Sequence, residues 1–231
     1  METMWHLSES DFFSDLPAER EEFMSLATKR AVATRESIFF QGEPAVSAYY
    51  LASGSVRIFR IDPWGKECIA FARKTGEMFG LAEVVGIGEK ERRSTAQALS
   101  PCSIYEITKA DLDLLLSHHY ALATRVMDVL GRRIRYLCEQ IENLMVCDVT
   151  TRLLKILVYL SYPALAEHYS DNEPVTIPVK LTQEHLAAMI GSCQQTVSEI
   201  LGRLVEDGMI RVDRKGITLL HPAETLSCID N

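Results

Sequence analysis

Residues 181–208, LTQEHLAAMIGSCQQTVSEILGRLVEDG, constrain this chain more than any other stretch, because they spell two short helices with a glycine turn between them. Thr182 is placed to cap the first helix. Gln183 and Glu184 stand in its first turn, where the positive end of the helix dipole favours a carboxylate. Leu186, Met189 and Ile190 recur at three-to-four spacing and turn inward. Gly191 follows at once, and glycine reaches the left-handed conformation of a sharp helix exit. In the second helix Val197, Ile200, Leu201 and Leu204 form a buried stripe. Gln194, Gln195, Ser198, Glu199 and Gly202 remain on the outer face, and Gly208 ends it. Two helices crossing steeply through such a turn lay a side-chain array into the DNA major groove. An ordinary helical hairpin is the alternative for this segment taken alone.

The next residues favour the first reading. Met209 to Val212 (MIRV) and Ile217 to Leu220 (ITLL) are short apolar runs separated by Asp213, Arg214, Lys215 and Gly216, a hairpin signal. A helix-turn-helix followed by a hairpin is a winged helix, and Arg211, Arg214 and Lys215 suit a wing that touches phosphate. The candidate DNA-facing set is Thr182, Ser192, Cys193, Gln194, Gln195, Thr196, Ser198, Glu199 and Arg203, with Arg214 and Lys215 at the wing.

Charge tempers this reading. The chain of 231 residues carries a formal net charge of −8, which argues against a protein that coats nucleic acid without regard to sequence. Residues 181–220 hold four basic residues (203, 211, 214, 215) against five acidic ones (184, 199, 206, 207, 213). A DNA binder of this kind must place its few cations locally, add backbone amides and double its contacts by dimerising. No apolar stretch approaches the ~20 residues of a membrane span. The start, METMWHLSESDFF, reads without a secretory signal. Cys68, Cys102, Cys138, Cys147, Cys193 and Cys228 form no C-x-x-C pair and read as reduced, partly buried thiols. Together these features lead us to expect a cytoplasmic protein with no membrane partner.

Upstream, residues 9–29 look helical, with Phe12, Phe13, Leu16, Phe23, Met24 and Leu26 as apolar contacts and Pro17 at a helix start. From Arg30 to Ile107 short apolar runs recur: SIFF (37–40), AYYLA (48–52), SVRIFRI (55–61), ECIAFA (67–72) and CSIYEI (102–107). Glycines punctuate them at 42, 54, 65, 76 and 80. SVRIFRI alternates as a half-buried strand does, and many short strands at even spacing mean a β-barrel or jelly roll. Residues 110–147 read as one long helix. Within it Ala123, Met127, Leu130, Ile134, Leu137, Ile141 and Leu144 step alternately by four and three, a heptad seam. Arg125, Arg132, Arg133, Arg135, Glu139 and Glu142 flank the seam, as when a narrow stripe meets an identical partner. The expected interface of a parallel homodimer is therefore Met127, Leu130, Ile134, Leu137, Ile141 and Leu144. A single helix packed on its own barrel is the alternative. Residues 148–151 (DVTT) break the pattern as a hinge. A helix from Arg152 to Leu160 and a loop from Ser161 to Pro178 then lead to the DNA-binding motif.

This order resembles the Crp/Fnr family of bacterial transcription regulators over nearly the whole chain. The resemblance rests on the spaced glycines, Gly76-Glu77-Met78-Phe79-Gly80, Asp148-Val149-Thr150-Thr151-Arg152, and Gly191 through Leu201. It implies an α+β fold: an N-terminal helix and cyclic-nucleotide-binding-like β-jelly-roll effector domain over 1–109, a long dimerisation helix over 110–147, and a C-terminal winged helix-turn-helix domain over 148–231. It also implies an effector-responsive, sequence-specific transcription regulator acting as a homodimer on double-stranded DNA at a pseudo-palindromic operator. RNA polymerase is the implied protein partner, with the 161–178 loop as a contact face. An effector between barrel and long helix would change the packing of Leu137, Cys138 and Ile141 and so re-aim the winged helices.

The implied effector site is Gly80, Leu81, Ala82, Glu83, Arg92, Arg93, Ser94, Leu137 and Cys138. Cyclic-AMP binders of the family hold the ribose with a glutamate where Leu81 stands here, and the phosphate with Arg-Ser, matched by Arg93-Ser94. They hold adenine with Thr-Ser on the long helix, where this chain has Leu137-Cys138, which lacks those hydroxyl bonds. The effector is therefore expected to be other than cyclic AMP; the alternative is that Glu83, on a shifted loop, substitutes for the missing glutamate.

Other effectors stay open. A haem sensor would draw axial ligands from His6, His118 or His119, and a small aromatic would suit an apolar pocket between Leu81, Leu137 and the barrel. A redox switch would use Cys138 or Cys147, whose alternative is a buried, inert thiol. An iron–sulfur cluster lacks N-terminal cysteine ligands, the first cysteine being Cys68. A cyclic-nucleotide-sensing module without a DNA role is the contrasting class, and it would need a working nucleotide cassette and no second domain. No nucleophile–base pair, metal-spaced His/Glu cluster or phosphate-cradling loop points to an enzyme.

Overall fold

The computed structural model describes residues 11–65, 67–85, 91–168, 173–177, 181–214 and 216–227. They divide into two compact units, one ending at Ile134 and the other beginning at Arg135. The first unit opens with a turn at 12–15 and helix α1 (Pro17–Leu26), whose first position is the proline. Thr28 already lies in strand β1 (Thr28–Val32), so the helix expected over 9–29 is shorter at both ends. Phe12, Phe13, Leu16 and Phe23 are buried as expected, whereas Leu26 is exposed.

Two four-stranded antiparallel sheets follow, built from β1, β2 (Ser37–Phe39), β3 (Ser47–Ser53), β4 (Ser55–Ile61), β5 (Glu67–Lys74), β6 (Met78–Phe79), β7 (Thr95–Ala98) and β8 (Cys102–Thr108). Their orders are β1-β8-β3-β6 and β2-β7-β4-β5. The five apolar runs all become strands. β1, β6 and β7 were not legible, because TKRAV, MF and TAQA carry no run of β-branched or aromatic residues. Strand β3 shows why the barrel needs cover on its outside. Tyr49 and Leu51 point into the space between the sheets with Phe39, Val56, Phe79 and Ile104. Ala48 and Tyr50 point the other way, into a second cluster with Phe13 and Phe23. Strand β4 departs from clean alternation at a register shift between Ile58 and Phe59, and Arg57 lies over the Phe59 ring at 4.2 Å.

The helix expected over 110–147 is two helices. α2 (Lys109–His118) is capped by the Thr108 hydroxyl, which accepts from the Asp111 N–H, and extended His119 separates it from α3 (Tyr120–Val146). Leu122, Val126 and Val129 of α3 are buried in the second cluster. On its other side Met127, Ile134, Ile141 and Leu144 are each more than half exposed, and Leu137 is 41% exposed. Leu130 packs partly against the cluster.

In the second unit α3 ends at Val146 and α4 (Val149–His168) begins after two intervening residues, so the helix expected from Arg152 starts at Val149 and the hinge expected over 148–151 narrows to residues 147–148. The expected helix end at Leu160 and the loop from Ser161 are therefore corrected. A proline deletes one backbone donor, and α4 runs on past Pro163. Beyond it Val175–Thr176 forms β9. Leu153, Ile156, Leu157 and Val158 of α4 are buried, and Tyr159 stacks on Tyr136 at 4.5 Å between ring centroids.

Asp148 caps α4, its Oδ1 accepting from the Thr151 N–H at 2.7 Å. The N–H and hydroxyl of Thr151 hold the Asp148 carboxyl below its ordinary value. A carboxyl depressed in the folded state stabilises above its unfolded pKa, about 3.9, and that contribution is lost as pH falls through the folded value. Asp148→Ala is expected to lower the melting temperature by a constant amount above about pH 5, the gap from wild type closing below about pH 4. Calorimetry across that range checks it; a gap that ignores pH would assign the cap to shape rather than charge.

The chain then forms α5 (Gln183–Ile190), α6 (Gln194–Glu206), β10 (Ile210–Asp213), β11 (Gly216–Leu219) and α7 (Pro222–Ser227). β11 pairs with both β10 and β9, so the wing sheet has three strands. Among the described cysteines none is in a disulfide. Cys68, Cys138 and Cys193 are exposed, Cys147 is half-buried and Cys102 is buried, so Cys138 is not the buried thiol weighed above. No described helix is long and apolar enough to cross a membrane.

Candidate nucleic-acid interface and barrel site

Thr182 caps α5 as its sequence position requires: its Oγ1 accepts from the His185 N–H at 3.1 Å. His185 Nδ1 accepts in turn from the Thr182 N–H at 3.4 Å, a reciprocal cap with histidine where glutamate or glutamine is usual. Leu186, Ala187 and Ile190 are buried and Met189 is half-buried. Gly191 takes φ +65°, and the Ser192 N–H returns to the Ala187 carbonyl at 3.0 Å. A Cβ at Gly191 would stand 3.3 Å from Leu144 Cδ2, so the turn lies against the end of α3. Arg152 holds the same corner, its Nε donating to the Ile190 carbonyl and its Nη1 to that of Cys147.

α6 buries Val197, Ile200, Leu201 and Leu204 and exposes Gln194, Gln195, Ser198, Glu199, Gly202 and Arg203. Ser192 and Thr196 are half-buried. Gln195 Nε2 donates to Glu199 Oε1 at 3.1 Å, so these two present one joined polar surface. Exposed Cys193 precedes the helix, its Sγ 3.1 Å from Thr196 Oγ1. That hydroxyl and the Thr196 N–H draw the thiol below its ordinary pKa. In the wing, Asp213 pairs with Gly216 across the turn, Arg214 is exposed at the tip, and Arg211 Nε lies 3.5 Å from Asp213 Oδ2. Lys215 lies outside the described residues. Exposed donors and acceptors of this kind on one helix face can read base edges, and a wing cation can meet phosphate.

The implied effector residues are held differently. Gly80 takes φ +68°, Leu81 is fully buried and Ala82 is exposed. The side chain facing the barrel core is that of Arg92, 2% exposed, while Arg93 is exposed and Ser94 half-buried. Arg92 Cζ lies 4.2 Å from the Phe39 ring centre and 5.6 Å from that of Tyr49. Its Nη1 donates to the Gly80 carbonyl at 3.0 Å and its Nη2 to the Ser47 carbonyl. Glu83 Oε2 stands 3.5 Å from Nη1, and Glu83 Oε1 accepts from the Arg93 N–H at 3.3 Å. Leu137 and Cys138 belong to the other unit and are exposed. Among the described residues, aliphatic Leu81 follows Gly80, and the buried Arg92 guanidinium is already engaged by a carboxylate and two carbonyls of its own chain.

The histidines weighed as haem ligands are also placed. His118 is exposed, and His119 Nε2 lies 2.7 Å from Glu22 Oε2 with Nδ1 3.8 Å from Glu19 Oε1. An axial ligand at His119 would have to leave Glu22. His6 lies outside the described residues. The His185 cap, the Gln195–Glu199 bond and the Arg92–Glu83 pair had no sequence signal of their own, since each depends on rotamers and loop register.

Comparison with known proteins agrees with this architecture. The family description "Cyclic nucleotide-binding domain" matches residues 29–119, and "Crp-like helix-turn-helix domain" matches residues 151–224. The chain is 29% identical over 199 residues to the cAMP-activated global transcriptional regulator CRP of Pasteurella multocida, covering 86% of this chain and 93% of that one. It is 29% identical over 189 residues to the global nitrogen regulator of Synechocystis sp., covering 81% and 82%. Among solved structures, FixK2 from Bradyrhizobium japonicum superposes with a TM-score of 0.74 at 19% identity, over 89% of this chain and 98% of that one, a likeness of fold. The relatives matched in sequence are transcription regulators, and the chain belongs to the Crp/Fnr family of DNA-binding bacterial transcription regulators.

Proposed function

We propose that the protein acts as a homodimer that recognises a pseudo-palindromic operator, and that its effector is not cyclic AMP. The observation that carries the reading is the pair of oppositely ordered surfaces on α3 and α6. The exposed apolar residues of α3 follow a heptad and suit an identical helix, and the outer face of α6 is polar from Gln194 to Arg203, with Val205 exposed beyond it. Two copies related by a two-fold axis would present recognition helices to half-sites one DNA turn apart, roughly 34 Å. Arg203 and Arg214 would steady the docked helix on phosphates. RNA polymerase is the proposed protein partner. The domain division follows the sequence reading, with α3 as the dimer rod between an N-terminal barrel and a C-terminal winged helix.

Base choice would come from Gln194, Gln195 and Glu199. A glutamine pairs with adenine, and a glutamate accepts from cytosine N4. Because Gln195 donates to Glu199 at 3.1 Å, the two would read adjacent bases as a unit. Selection of binding sites from random DNA is expected to return an inverted repeat with one cytosine per half-site that depends on Glu199. Glu199→Ala should relax the choice at that position by ~1–3 kcal/mol while leaving the other positions intact. Recovery of no enriched sequence, or of a repeat indifferent to Glu199, would overturn the assignment.

A further inference from the structure

Arg92 is the most deeply buried cation beside the barrel core, and the manner of its compensation has a consequence for ligand binding. A buried guanidinium is tolerated only when paired and hydrogen-bonded. Two of its donors go to the carbonyls of Gly80 and Ser47, and its flat face lies on Phe39. The carboxylate that balances its charge is Glu83, itself only 11% exposed and held on its other oxygen by the Arg93 N–H. Gly80 is shaped to this arrangement, since a Cβ there would stand 2.9 Å from Arg92 Nη1. Arg92 Nε is buried with no hydrogen-bond partner among the described residues, which leaves one donor for an added oxygen.

We infer that Glu83 is a tethered carboxylate ligand of Arg92, occupying the barrel from within, so that this chain binds its operator without a cyclic nucleotide. The cyclic phosphate of a diffusible ligand would have to expel Glu83 and leave that carboxylate buried without its partner, a large cost. The inference uses the DNA-binding character of the family, but its first readout is barrel stability, so it can fail independently of the dimer and operator readings.

The test is thermal melting of the full chain alongside operator binding. For wild type, millimolar cyclic AMP or cyclic GMP is expected to move neither the melting temperature nor operator affinity. Glu83→Ala should lower the melting temperature by on the order of 5–10 °C. Sodium acetate should restore most of that loss where sodium chloride of equal ionic strength does not, because acetate supplies the missing carboxylate and meets the free Nε. The double variant Glu83→Ala/Arg92→Met should melt above Glu83→Ala alone and ignore acetate. If Glu83→Ala does not fold, Glu83→Gln, which keeps the shape and removes the charge, carries the comparison of melting temperatures with wild type and with Glu83→Gln/Arg92→Met, without acetate because its amide fills that space. Stabilisation of wild type by a cyclic nucleotide would overturn the inference. So would a charge-free variant that melts like wild type, or equal acetate effects on wild type and variant.

Discussion

Ile141→Glu is expected to turn the protein into a monomer and to lower operator affinity by roughly 10²–10⁴-fold, the range lost when two linked binding events become one. Ile141 is 59% exposed, and its neighbours along the seam, Ile134 and Leu144, are exposed to a similar degree. Burying such a side chain against an identical helix contributes about 1.5–3 kcal/mol per copy. A glutamate at the same place would bring two like charges together inside the contact. Since the residue is exposed in the protomer, the substitution leaves nothing buried and unsatisfied within one chain. The variant should therefore keep its helical content and melt at high dilution like wild type. Sedimentation velocity beside a gel-shift titration checks both halves. A monomer that grips the operator as tightly as wild type would separate DNA binding from dimerisation, and a persistent dimer would place the interface elsewhere.

Val197→Asp should have the largest effect on the reading head itself. Val197 is fully buried at the first turn of α6, among Ile200, Leu201 and Leu204 on the same face. A carboxylate there has no described cation beside it, and burying one unpaired costs several kcal/mol. Domains are stable by only about 5–15 kcal/mol, so a unit of this size is expected to lose its fold at ordinary temperature. The barrel unit has its own two clusters around Tyr50 and Leu51 and should melt as before. Hydrogen exchange resolved by peptide would show protection lost across residues 183–219 and kept across the barrel strands, with operator binding abolished. Loss of protection in both units would mean that they fold as one cooperative body.

The parts of this fold that could be read from residues alone are those where one physical cause acts locally. Thr182 before a helix, Gly191 after it and the Val197–Leu204 stripe each declare themselves through capping, left-handed backbone or periodicity. The exposed apolar stripe of α3 from Met127 to Leu144 was legible for the same reason, although Leu130 within it packs partly on the barrel cluster. Strand β7 was not, because TAQA is a strand only by virtue of pairing with β2 and β4. The loop expected from Ser161 erred in the opposite sense, since α4 continues to His168 although Pro163 removes one donor. The break at His119 was hidden because apolar residues continue on both sides of it, and Leu112 and Leu115 before it share one buried cluster with Leu122 and Val126 after it. At the barrel site the sequence pointed to Arg93-Ser94 for a phosphate, with Arg92 beside it, whereas the side chain that turns inward is that of Arg92 and Arg93 is exposed. Which of them turns inward depends on the chain length between Gly80 and Ser94, a matter of loop register rather than composition.

The corner at Gly191 has a mechanical consequence. Leu144 belongs to the apolar edge of α3 and also lies against the turn that aims α6, while Arg152 bolts the carbonyls of Ile190 and Cys147 to one guanidinium. On the proposed reading, a twist of the C-terminal part of α3 would reach α6 through these contacts rather than a slack tether. Any strain introduced where the two rods would touch should surface as a changed preference for the distance between operator halves.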